Sequence, residues 1–147
     1  MCSKSTDSFP ILIRSCWFGL NKIFRNKLRS LSLTPVQFTI LRCLNENGEN
    51  GISQELLSTM IFSNKNNTSS ILKRMEKMGY ITREQNRTDQ REKIISCTNK
   101  GKNVFKLAEC EATDVRQETI ENLTSEEMVS VCNSLEKINS KLKSLKS

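Results

Sequence analysis

Five boundary signals fall in fixed order between residues 34 and 98, and they leave the chain little freedom in how to fold. "LTPVQFTILRCL" opens with Thr34 as N-cap, Pro35 at the first helical position and Gln37 in the capping-box place. A helix over about 35–45 follows, and it ends at "NENGENG". Ser53 caps a short third helix in "ISQELLSTM", with Leu56, Leu57 and Met60 facing inward. "FSNKNN" breaks that helix and Asn64 caps a fourth, which Gly79 ends as a left-handed residue. "YITREQ" then alternates like a strand, and "KIISCT" matches it in length and β-branching across the polar turn "NRTDQRE".

Helices leading into a hairpin in this order make a winged helix–turn–helix. Its flanks are helical too. Residues 11–31 place Ile13, Cys16, Trp17, Leu20, Ile23, Phe24, Leu28 and Leu31 on one stripe. From Thr98 the pattern is helical to about Ile120. Thr124 and Glu127 then form a capping box before Met128, Cys132, Leu135, Ile138, Leu142 and Leu145 at 3–4 spacing. One small domain cannot cover both apolar lengths, so a second copy is the economical cover. The expected fold class is mainly α with a small β-hairpin wing. It has about six helices and is dimerised through its N- and C-terminal helices. Residues 1–147 form one subunit, with a DNA-binding lobe over 34–98 and dimerisation helices over 9–33 and 99–147.

The fourth helix starts strangely. Ser63 to Ser70 contain no apolar residue, although Ile71, Leu72, Met75 and Met78 behind them form a good buried stripe. A cap needs one such polar residue, not eight. A helix entering the major groove does need small polar side chains at its start, where Asn reads adenine, Lys reads guanine and Ser suits either. The candidate base-reading residues are therefore Asn64, Lys65, Asn66, Asn67, Ser69 and Ser70, with Lys73 and Lys77 on the phosphate backbone. At the hairpin tip Arg87, Arg91 and Lys93 bracket Asp89. An Arg there can enter the adjacent minor groove, with Asp89 orienting Arg91 or Arg87 by a charge-assisted bond.

Charge agrees with a polyanionic partner. The chain carries +7 overall, and residues 51–106 hold eleven Lys/Arg against five acids, whereas residues 107–147 hold five against eight. Other classes fit poorly. There is no histidine, and the six cysteines include no C-x-x-C pair, which removes the common general base and any ordinary zinc pattern. No glycine loop has P-loop spacing, and no run approaches a membrane span. The expectation is a non-enzymatic cytoplasmic protein with no cofactor or metal, whose partners are double-stranded DNA and a second copy of itself.

In these motifs the chain resembles the MarR family of dimeric winged-helix transcription regulators, from about residue 10 to the end. "LTPVQFTIL" matches the second helix and "SILKRMEKMGYITRE" the recognition helix running into the wing. "DQR", with Asp89 and Arg91, matches the wing signature. "CTNKGK" matches the start of helix 5, with Cys97 where Leu is usual. The resemblance implies a homodimer through helices 1, 5 and 6 on a pseudopalindromic operator, usually a repressor relieved by a small ligand or by oxidation. It implies that Asn64 to Ser70 face the groove and that Arg91 is the minor-groove residue. For a small aromatic or apolar effector, Trp17 and Phe24 are the candidate pocket walls. Ser70 departs from the pattern, standing where many members have Arg. Cys16 is the candidate for redox sensing, although it lies two turns beyond the position of the peroxide-sensing cysteine and the chain has one tyrosine, Tyr80. The alternatives are a thiol-based redox regulator and a winged-helix protein-interaction module without an operator.

Overall fold

The computed structural model describes residues 8–47 and 50–145. Cys2 and the Gly48–Glu49 part of the "NENGENG" turn lie outside them. Helix α1 (Phe9–Leu28) passes through a 3₁₀ turn (Arg29–Leu31) to α2 (Pro35–Glu46). A short strand β1 (Ile52–Ser53) precedes α3 (Gln54–Met60) and α4 (Lys65–Lys77). The wing strands are β2 (Ile81–Gln85) and β3 (Lys93–Cys97), followed by α5 (Asn99–Ile120) and α6 (Ser125–Ser144).

The helix starts are where the capping residues put them. Thr34 Oγ1 accepts from the Gln37 N–H at 3.3 Å while Gln37 Oε1 accepts from the Thr34 N–H at 3.0 Å. Thr124 and Glu127 repeat this box at 3.2 and 2.8 Å. Each cap satisfies backbone donors that a helix start leaves open, worth about 1 kcal/mol. The first helix is shorter than its apolar stripe suggests. It gives way to the 3₁₀ turn after Leu28, and Ser32 reverses the chain at a φ of 52°.

The sheet has three antiparallel strands in the order β1–β3–β2. The hairpin register pairs Ile81 with Cys97 and Gln85 with Lys93, and Ile52 of β1 pairs with Ile95. Sequence reading misses β1. It is two residues long, and Ser53 serves at once as strand residue and as cap of α3, its Oγ accepting from Leu56 N–H at 3.2 Å.

Contacts divide the chain into two units, one ending at Ala112 and one beginning at Thr113. The first holds the core. Ile40, Leu41, Leu57, Leu72, Met75, Ile81 and Ile95 are buried there. Phe38 meets Phe24 edge-on at 4.9 Å and stacks on Phe105 at 5.5 Å. Leu56 corrects the expectation for α3: it is exposed, because a seven-residue helix buries only the face that carries Leu57 and Ser58. Along α1 only Leu28 is fully buried, and Ile11 and Phe18 stand in the open. In the second unit, α6 has no buried residue and exposes Val131, Leu135, Leu142 and Leu145. Among the described residues, no helix is long and apolar enough to cross a membrane.

Candidate nucleic-acid interface

Helix α4 is pinned from behind. Thr68, Leu72 and Met75 are fully buried at 3–4 spacing and fix its rotation. Thr68 is thus a correction to the span Asn64 to Ser70. It faces the core, and its hydroxyl donates to the Asn64 carbonyl at 2.9 Å instead of reaching a base. Opposite these three, the 100° step of a helix puts Asn66, Ser70, Lys73 and Lys77 in the middle of the exposed face. Lys65 and Ser69 lie on the flank toward the wing, and Asn67 lies on the other flank. Asn64 is constrained further. Its Oδ1 accepts from the Asn67 N–H at 2.8 Å as the helix cap, which ties one lone pair and the orientation of the amide to the helix start.

The end of α4 is tied to the wing and to α5. Gly79 takes a φ of +78° to stop the helix. Its carbonyl accepts from the Thr98 hydroxyl at 2.6 Å, and the Gly101 N–H donates to the same hydroxyl at 3.0 Å. A Cβ on Gly101 would collide with the Tyr80 carbonyl oxygen, so the glycine of "CTNKGK" is required by close packing of α5 on the β2 start. Arg83 of β2, 11% exposed, binds Glu76 of α4 through Nε at 2.8 Å and Nη2 at 2.7 Å. This pair fixes the spacing between recognition helix and wing.

The wing tip is built from two side-chain turns. Asn86 Oδ1 accepts from the Thr88 N–H at 3.1 Å, and Asp89 Oδ1 accepts from the Arg91 N–H at 3.0 Å. Here the structure differs from the expectation for Asp89. Its carboxylate holds the backbone of Arg91, not a guanidinium, because a two-residue side-chain turn forms locally without a long side chain folding back. Among the described residues, Arg87 and Arg91 pair with no carboxylate.

These parts enclose an open cleft of about 540 Å³, lined on one side by Gln54, Glu55, Lys65, Ser69 and Lys73 and on the other by Arg83, Asp89, Arg91, Glu92 and Lys93. Of the sequence-derived candidates, the cleft brings together Lys65, Ser69, Lys73, Asp89, Arg91 and Lys93. Asn64, Asn66, Asn67, Ser70, Lys77 and Arg87 are exposed nearby in sequence but do not line it.

The sequence model of the MarR family matches residues 33–93, the span that builds this cleft. The HTH-type transcriptional regulator TtmR of Methylorubrum extorquens is 29% identical over 110 residues, which are 73% of this chain and 54% of the relative's own length. A MarR protein from Peptoclostridium difficile superposes with a TM-score of 0.86 at 27% identity, covering 93% of this chain and 88% of that one. Over residues 33–93 the chain is similar to the MarR family, and its fold is that of a MarR-family structure. A complex of S. aureus MepR with DNA has the same fold, with a TM-score of 0.83 at 21% identity over 90% of this chain and 97% of that one. MarR-family regulators are DNA-binding proteins, not enzymes.

The remaining candidates lie apart from the cleft. Phe24 is occupied by its edge-on contact with Phe38, and Trp17 is 69% exposed, so the two do not form opposing walls. Cys16 is exposed on α1, as are Cys110 and Cys132 on the later helices. Burial pushes the Cys43 and Cys97 thiols up, which favours their protonated form. Among the described residues, no cluster of potential ligands could hold a metal ion. Sequence reasoning missed Gln54 and Glu55. The signal was present, since both follow the Ser53 cap and open the helix that precedes the recognition helix.

Proposed function

We propose that the protein is a homodimeric, sequence-specific DNA-binding transcription regulator that occupies a pseudopalindromic operator. The observation that carries this reading is the convergence of Lys65, Ser69 and Lys73 of α4 with Arg91 and Lys93 of the wing on one cleft. Asn66 and Ser70 read base edges in the major groove. Lys73 and Lys77 hold phosphates, and Arg91 enters the minor groove from the wing. Dimerisation is supported by the apolar residues that α1 and α6 each leave in water, from Ile11 to Ile23 and from Val129 to Leu145. A dimer supplies two recognition helices to two half-sites. Likeness to the family supports repression by promoter occupancy with release by a small ligand, acting in the cytoplasm.

Salt dependence tests the reading. A dimer that neutralises roughly 6–10 phosphates loses roughly 10³–10⁵ in affinity between 50 and 200 mM salt. Fluorescence anisotropy on a duplex of about 24 bp, long enough for two half-sites one helical turn apart, measures it. A flat salt response would leave the winged helix as a protein-interaction module instead.

A further inference from the structure

Glu55 is out of place in a surface built to meet phosphates. The other acids of the cleft have structural duties. Asp89 closes the wing turn, and Glu92 accepts from Asn86 Nδ2 at 2.8 Å. Glu55, at 69% side-chain exposure, points its carboxylate at Lys65 Nζ across 3.1 Å, and Lys65 is itself 73% exposed. Water screens such an open pair, so it adds little to the fold. Its cost to binding is larger, because a carboxylate in the cleft repels every phosphate that approaches.

We infer that the Glu55–Lys65 pair recognises one G·C base pair in each half-site. The inference rests on the DNA-binding reading above and names what one part of that surface selects. In the major groove a G·C pair presents the guanine O6 and N7 acceptors beside the cytosine N4 amino donor. The O6 and N4 atoms are joined by the base-pair hydrogen bond and so lie about 2.9 Å apart. Lys65 Nζ and Glu55 Oε1 supply a donor and an acceptor at nearly the same spacing, 3.1 Å. The ammonium has three N–H groups, one used by Glu55 and two left for O6 and N7. The carboxylate has free lone pairs for the cytosine amino hydrogen. An A·T pair in the same orientation places an amino group where Lys65 meets O6 and a carbonyl against Glu55, so only the N7 contact survives and A·T is disfavoured. The pair selects against the wrong base as well as binding the right one.

Selection from a pool of random duplexes by the full-length chain tests this. The wild type should recover sites with G·C fixed at one position of each half-site. Glu55→Ala should lose roughly tenfold of that preference at this position alone, and should bind the unselected pool more tightly because a negative charge is gone. The double exchange Glu55→Lys with Lys65→Glu keeps an ion pair but swaps donor and acceptor, and should turn the preference to C·G. Unchanged selection by Glu55→Ala would overturn the inference. It would leave Glu55 as an acid stabilising the first turn of α3. Loss of preference at every position, with a matching fall in thermal stability, would also overturn it. A wild type that selects no sequence would remove the DNA-binding reading itself.

Discussion

Helices α4 and α6 begin alike and end up differently. Both start on a side chain that accepts from the N3 backbone N–H, Asn64 in one and Thr124 in the other. Both carry apolar residues at helical spacing. Helix α4 buries the centre of its stripe, with Thr68, Leu72 and Met75 in the core and Ile71 and Met78 packed against it, whereas α6 buries nothing and leaves Val131, Leu135 and Leu142 in water. An apolar stripe in a sequence therefore says that a face is covered, not by what. In α4 the cover is the rest of the winged lobe, which fixes the rotation of its exposed side. In α6 nothing within its own unit covers the stripe, and on the proposed reading a second copy does.

The largest expected effect breaks the comparison at its buried side. Leu72→Ala should cost about 2–5 kcal/mol of stability, because a fully buried leucine leaves a cavity the packed lobe cannot close. That loss should not depend on protein concentration. Leu135→Glu with Leu142→Glu should behave the opposite way. Light scattering should fall from twice 16.8 kDa to 16.8 kDa, and thermal stability should lose its concentration dependence. A wild type that already scatters as a folded monomer would end the proposed difference between the two helices.

A second set of variants acts on the face that burial leaves free. Asn66 sits in the middle of the exposed side of α4 and Asn67 on its edge, so the two should not behave alike. Asn66→Ala should lose roughly 1–3 kcal/mol on the selected site and little on random DNA, and Asn67→Ala should lose less. Lys77→Ala should weaken both duplexes about equally, since a phosphate contact carries no sequence information. Equal losses for all three would mean that Thr68, Leu72 and Met75 do not set the rotation of α4 against the groove.

The boundaries of this fold were legible because they are local. Thr34, Ser53, Asn64, Gly79 and Thr124 act on backbone groups within four residues of themselves, and the sequence prints that distance. The winged order followed from those boundaries. What stayed hidden depends on the third dimension. Thr68 reads as one more polar residue in a polar run until Leu72 and Met75 turn it inward. Ile52 looks like a helix prelude until β3 lies beside it. The place of Glu55 behind the Ser53 cap is legible, but its pairing with Lys65 ten residues away is not, nor is that of Arg83 with Glu76 seven residues away. Trp17 reads as core by type, and only the packing shows that nothing in the described lobe covers it.

The smallest expected effect concerns Asp89, where charge and geometry oppose each other. Deleting an acid near phosphate should tighten binding by bulk electrostatics. Yet the Asp89 carboxylate also accepts from the Arg91 N–H and so shapes the turn that aims Arg91. Asn and Ala separate the two effects. Asp89→Asn removes the charge but keeps an Oδ1 acceptor suited to the same turn, so it should bind the selected site more tightly than wild type. Asp89→Ala removes the charge and the acceptor together, and should bind more weakly than Asp89→Asn by about 0.5–1.5 kcal/mol, the net worth of one such hydrogen bond. On an Arg91→Ala background that difference should vanish, because there is no longer a guanidinium to aim, and the double-mutant cycle measures this coupling directly. Equal tightening by Asn and Ala would show that the turn does not direct Arg91, and the wing would then act only as a basic tether beside α4.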